Sequence, residues 1–381
     1  MNSNLESATF RSNPLYEAVP FNRLGRAERE ALVPWQESID SFGVLIPKAE
    51  ANLPVTAITR ATALLFFTMQ QPGPLPDYLL QMPPAQQKKA VSALILDNVL
   101  EIQGPHGFLG GSGALSVIGL DSQLASSKLS QLSYAAIQYG QELINIDPAT
   151  LSYKLYFYNR LPATQAWCQR LPDHTAVLHY MDILPGQKNS ASIREFWTLA
   201  KGNDAWLPFV AKRVHRSFHQ KSYKLYISPR IEVLPEIFPI VSEILGSCGS
   251  IQFKIGSGCY GLLRPDKLVA YFTNKQDLFE AAAVLNTKLA GAPVHGVPFT
   301  AETASDGLIS WGIDPRGMSD VEGRSWRQWV TNRLAAGLLM ARNRTESTIE
   351  PWRFALERLA LEGVDTATFM PESSWTGEYE L

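Results

Sequence analysis

The chain has 381 residues, enough for two domains of ordinary size. Its 45% hydrophobic and 18% charged residues, with 17 Phe, 13 Tyr and 9 Trp to fill cores, exclude a disordered polypeptide. A formal net charge of -2 excludes a global field that gathers nucleic acid, so no nucleic-acid partner is expected and any anion recognition is local.

Cys168, Cys248 and Cys259 are sparse, odd in number and without CxxC or His-Cys spacing. They provide neither a disulfide framework nor a zinc site, and a reducing cytoplasm is the expected compartment. No basic segment leading into an apolar run opens the chain. The longest apolar stretch, Ala61–Met69, is far short of the ~20 residues that cross a bilayer, so no membrane partner is expected.

In chain order, residues 1–50 read as an irregular lead-in, followed by helices over Val55–Gln71 and Ala85–Leu100. Gly104-Pro105-His106-Gly107 then marks a hairpin. The cluster Gly110-Gly111-Ser112-Gly113 lacks both the spacing and the lysine of a phosphate loop, so it is turn chemistry. Between Leu151 and Leu184, alternating apolar residues broken by Pro162 and Pro172 predict strands. Seven Lys or Arg against one Asp over Lys201–Arg230 make a local basic run, either a solvated face or a site for an anionic ligand.

The carboxyl half has clearer periodicity. Tyr223–Ser228 is expected as a strand with Lys224 and Tyr226 on one face. Leu234, Ile237, Phe238, Val241, Ile244 and Leu245 form one helical stripe, ended by Gly246 and Gly249. Strands Ile251–Ile255 and Leu268–Phe272 follow, then a helix capped by Asn274, then a strand over Leu308–Ile313. Helices over Ser325–Arg342 and Pro351–Glu362 close the chain. The order predicts an α+β fold, a mixed sheet with flanking helices over 201–381, preceded by a mainly helical region with a hairpin over 1–200.

Lysine is rarely buried on a strand without a partner, so Lys224 and Lys254 stand out. If both leave the same face, they form with Arg264 a basic pocket for a phosphate or carboxylate; the alternative is that both are solubilising surface residues. Lysine beside other cations has a depressed pKa and suits general-base work. Arg324 and Arg327, one helical turn apart, join Lys267 and Arg316 as further phosphate candidates. No GxSxG elbow is present, and His215 and His219 lack a Glu or Cys to complete a metal set.

The succession YKLYIS, FKIG, RPDKLVAYF, GAPVHGVPFT and GLISWGIDP, over roughly 222–367, resembles the phosphothreonine lyase superfamily, and within it the HopA-type effector-like family found in lanthipeptide and thioamitide gene clusters. The resemblance implies that family's lyase fold and elimination of phosphate from phosphothreonine or phosphoserine, without metal or cofactor, to give a dehydroamino acid. By motif position, Lys254 is the base, Lys224 holds the developing enolate or the phosphate, and Arg264 clamps phosphate. Tyr226 occupies the place of the family's general-acid histidine, and His295 is the nominated substitute. A phosphorylated precursor peptide is the implied partner. With no VAIK, HRD or DFG signature in the chain, a separate kinase, with or without a cyclase, supplies the phosphate. Two other functions remain in view: a non-catalytic phosphopeptide- or leader-binding module, docked through residues 1–200, and a secreted type III effector.

Overall fold

The computed structural model describes residues 7–31, 40–48, 51, 53–119, 127–212, 223–315, 325–342 and 349–372. Contacts group the chain into two units, one of Met1–Ser122 with Arg333–Glu362, the other mainly Gln123–Met318 with Glu322–Asn332 and Gly363–Leu381. The first unit therefore ends well before residue 200, and it recovers a segment from near the carboxyl terminus.

In the first unit the expected lead-in is built of strands, β1 (Phe10–Ser12), β2 (Tyr16–Pro20) and β3 (Ser41–Pro47), and β4 (Thr56–Thr59) replaces the first turn of the expected helix. The helix itself runs Arg60–Thr68, because the Thr59 side chain accepts from the Thr62 N–H and starts it there. A second helix, Pro84–Leu96, ends four residues before the expected Leu100, which instead opens the expected hairpin of β5 (Leu100–Gly104) and β6 (Gly107–Leu109). Phe10, Leu65, Val91, Ile95, Leu100 and Ile102 form this unit's main core.

The second unit is organised by seven strands in the order β12-β13-β9-β11-β10-β8-β7. They are β7 (Trp197–Leu199), β8 (Trp206–Ala211), β9 (Tyr223–Ile227), β10 (Gln252–Gly256), β11 (Leu268–Phe272), β12 (Ala301–Glu302) and β13 (Ile309–Ile313). The α+β class holds, with one difference: every neighbouring pair is antiparallel, where a mixed sheet was expected. One face carries Leu207, Phe209, Leu225, Phe253, Ile255, Ala270 and Phe272, all buried. It packs on the helices Leu234–Ser247 and Lys275–Lys288: Phe238 lies edge-on to Phe253, and Phe279 edge-on to Trp311.

The segment 151–184 contains helices Pro148–Tyr156, Gln165–Arg170 and His174–Tyr180 in place of the expected strands. Each begins at a capping side chain (Asp147, Thr164, Asp173) that accepts from a first-turn N–H. These caps outweigh a short-range apolar alternation. Over the opposite sheet face, the start of the helix Trp326–Arg342 approaches β13 closely. A Cβ on Gly312 would lie 2.6 Å from the Trp326 ring, so only glycine admits that ring. Among the described residues, no helix is long and apolar enough to cross a membrane.

Candidate active site

The strand register decides which side chains share a surface. Lys254 on β10 stands opposite Val269 on β11, Val269 opposite Tyr226 on β9, and Tyr226 opposite Ser310 on β13. Two residues along, Gln252, Tyr271, Lys224 and Gly312 form the next row. Side chains alternate along a strand, so both rows leave the face that the two packing helices do not cover. From these rows Lys224, Tyr226, Lys254, Val269 and Tyr271 line a cleft of about 300 Å³ with Tyr156, Trp206, Arg264, Asp266 and Ser325.

Three cationic side chains line this cleft, and each is held differently. Lys254 Nζ lies 4.1 Å from the centre of the Trp206 ring and 5.5 Å from that of Tyr271. Lys224 Nζ is 2.5 Å from Asp314 Oδ1, just past the end of β13. Arg264 donates to Asp266 through both Nε (2.8 Å) and Nη2 (2.9 Å). Asp266 Oδ2 also accepts from the Tyr156 hydroxyl at 3.1 Å, and Arg327 Nη1 is 2.9 Å from the same oxygen. One buried carboxylate thus sets the direction of the Arg264 guanidinium, which was expected to clamp phosphate.

These surroundings determine the protonation of the cleft. Burial, then the charge of Lys224, brings the Lys254 amine down to about 8; Arg264 adds to this, while Asp266 and Asp314 oppose it. A sizeable share of Lys254 is therefore free amine at mildly alkaline pH. Burial, then the Asp314 carboxylate, raises the Tyr226 phenol well above its ordinary value, so it is a protonated donor at neutral pH. Burial alone would raise Asp266, but Arg327 and Arg264 hold it far below the usual carboxylate range, as an anion. Tyr156 is pushed up to about 12 by burial and by Asp266.

The remaining candidates lie elsewhere. His295 is outside the cleft: its Nε2 is 2.5 Å from the Asn159 carbonyl and its Nδ1 is 2.8 Å from Lys267 Nζ. A carbonyl only accepts, so Nε2 carries the proton and Nδ1 accepts from Lys267. Burial and the Lys267 charge bring His295 down to about 3, which leaves it a neutral structural ring and no substitute acid. Replacing it with Gln is expected to lower the unfolding temperature, read by calorimetry.

Lys267 is fully buried and donates to the Pro229 carbonyl, so it is no phosphate ligand. Arg327 is also fully buried, with Nε on the Pro298 carbonyl and Nη2 on the Tyr156 carbonyl; it supports Asp266 from behind the cleft. Arg316, Arg324, His215 and His219 lie outside the described residues.

The sequence reasoning missed Asp266, Asp314, Tyr156, Trp206, Tyr271 and Ser325 as cleft or cleft-supporting residues. Two of them sit inside quoted motifs, Asp266 in RPDK and Asp314 in the Asp-Pro that follows β13. A carboxylate at the edge of an expected strand, Asp266 just before Leu268 and Asp314 directly after Ile313, was the available signal. Tyr156 and Trp206 come from segments whose periodicity misled or gave nothing.

No family model and no curated protein matches this chain. Among solved structures it is similar to the effector protein from Pseudomonas syringae pv. syringae strain 61, at 14% identity over 65% of this chain and 98% of that chain, with TM-score 0.42. The effector protein from Pseudomonas syringae pv. tomato strain DC3000 matches at 14% identity over 64% and 99%, with TM-score 0.41. The type III effector/phosphothreonine lyase OspF from Shigella flexneri matches at 13% identity over 39% and 88%, with TM-score 0.28. At these values the chemistry must be argued from the cleft alone.

Proposed function

We propose that this protein is a lyase that eliminates phosphate from phosphothreonine or phosphoserine in a peptide. The observation that carries this reading is a lysine of lowered basicity, Lys254, in one small cleft with Lys224 and Arg264. A phosphate ester is bound by cations, and an α-proton needs an unprotonated base, which a lysine of lowered basicity can supply.

In the proposed reaction the Lys254 amine takes the α-proton, and the electron pair of that C–H bond forms the α,β double bond. The β-carbon–oxygen bond breaks and its pair leaves with phosphate. The product is dehydrobutyrine from phosphothreonine or dehydroalanine from phosphoserine. Lys224, oriented by Asp314, faces the carbonyl where enolate charge gathers, and Arg264 faces the departing phosphate. Stabilising charge as it develops is where most of the rate gain arises. Tyr226 is the group available to protonate the leaving oxygen. Phosphate has a pKa of about 6 and needs little help, so Tyr226→Phe is expected to slow turnover only about 10-fold, measured at saturating phosphopeptide.

The pH dependence follows from the base. Lys254 must be unprotonated, so kcat/KM should rise roughly tenfold per pH unit on the acid side and level off above about 8. A profile flat from pH 6 to pH 9 removes Lys254 as the base.

The substrate in this reading is a ribosomal precursor peptide of lanthipeptide type, phosphorylated by a separate kinase; the order of motifs from Tyr223 to Pro315 supports it. Incubation with phosphothreonyl and phosphoseryl peptides, followed by mass spectrometry and thiol addition to the new alkene, tests the activity. Regain of the parent hydroxyl means hydrolysis and sinks the lyase reading. A phosphate that stays on the peptide favours the second reading, a module that only grips phosphopeptides. The specific support for that reading is Tyr226, a poor acid in the acid's position.

A further inference from the structure

Among the described residues, Trp206 alone has a ring within reach of both Lys254 and Arg264, with Nζ at 4.1 Å and the guanidinium carbon at 4.7 Å from its centre. The backbone that carries the ring is fixed: the Trp206 backbone N–H donates to Asn203 Oδ1, the Ala205 carbonyl accepts from the Ser257 N–H, and Trp206 pairs with Gly256 in the ladder of β8 and β10. We propose that Trp206 is a positioning residue for Lys254 and Arg264: its indole sets the gap between the two groups and keeps water out of it. The inference rests on the lyase reading and adds the wall that favours the free amine of its base.

The ring acts on Lys254 in two opposed ways. Its π face attracts an ammonium and so favours the charged form. Its bulk removes water from Nζ and favours the neutral form. The other groups facing the amine are Lys224 and Arg264, which disfavour the ammonium, Asp266 and Asp314, which favour it, and Tyr271. Burial is the largest influence lowering the Lys254 amine, and a ring whose centre is 4.1 Å from Nζ contributes to that burial; within the proposal, exclusion of water is the larger of the two effects.

The two effects separate by substitution. Trp206→Leu keeps an apolar wall without a π face, and Trp206→Ala removes both. Two measurements apply to the full chain: the pH dependence of Lys254 acetylation by acetic anhydride, read by mass spectrometry without substrate, and the pH profile of kcat/KM on a phosphothreonyl peptide. In Trp206→Ala the midpoint for acetylation is expected to rise by about one pH unit or more, and kcat/KM at pH 7 to fall about tenfold or more with it. In Trp206→Leu the midpoint is expected to stay at or below that of the parent. An unchanged midpoint in a folded Trp206→Ala overturns the inference, as does a rise in Trp206→Leu equal to that in Trp206→Ala. If the midpoint moves as expected but the parent protein eliminates no phosphate, Trp206 still controls Lys254 and the lyase reading alone falls.

Discussion

Lys254→Ala is expected to reduce elimination by roughly 10²- to 10⁴-fold while the phosphopeptide still binds, because loss of a positioned base has that scale. The cations that would grip phosphate, Lys224 and Arg264, have their own partners in Asp314 and Asp266 and do not depend on Lys254 for their placement. The effect should therefore appear in kcat, with the dissociation constant within a few-fold of the parent's. Lys254→Arg should be equally inactive, since a guanidinium keeps its proton throughout the working pH range. Single-turnover mass spectrometry with fluorescence anisotropy on the same peptide reads both quantities. Turnover within tenfold of the parent in Lys254→Ala would assign the base to another group.

The largest effect on stability is expected from Asp266→Ala. This carboxylate accepts two hydrogen bonds from Arg264 and one from Tyr156 and neutralises Arg327 at 2.9 Å, with Asp266 and Arg327 both buried. Removing it leaves the fully buried Arg327 guanidinium without a counter-charge, a loss of about 3–5 kcal/mol. For a domain of this size, that lowers the melting temperature by roughly 10 °C, measured by circular dichroism. Combining Asp266→Leu with Arg327→Met removes both charges and should restore most of the loss, though Arg264 would no longer be aimed. A shift under about 2 °C in Asp266→Ala would show that water already reaches this network.

The strands that bear Lys224 and Lys254, and the helices that cover their far face, were legible because their patterns are local. Apolar residues alternate through Tyr223–Ile227, and Ile237, Val241 and Leu245 recur at helical spacing. What was not legible is direction. Lys267 and Lys254 look alike in sequence, yet one is fully buried against the Pro229 carbonyl and the other lines the cleft. Arg264 and Arg327 likewise differ only in which side of Asp266 they approach. Such assignments depend on partners far apart in the chain: Asp266 meets Tyr156 across 110 positions. The strands β7 and β8 were missed because their signal is weak, three residues in one and a proline, Pro208, within the other.

The two borders of the seven-stranded sheet are its shortest members, with three residues in β7 and two in β12. A foreign strand laid along either would gain only a few ladder bonds, too few to offset the ordering it requires. The sheet is thus a poor template for growth. Under the proposed function, a peptide substrate would be held through its side chains in the cleft and not by strand addition at either border.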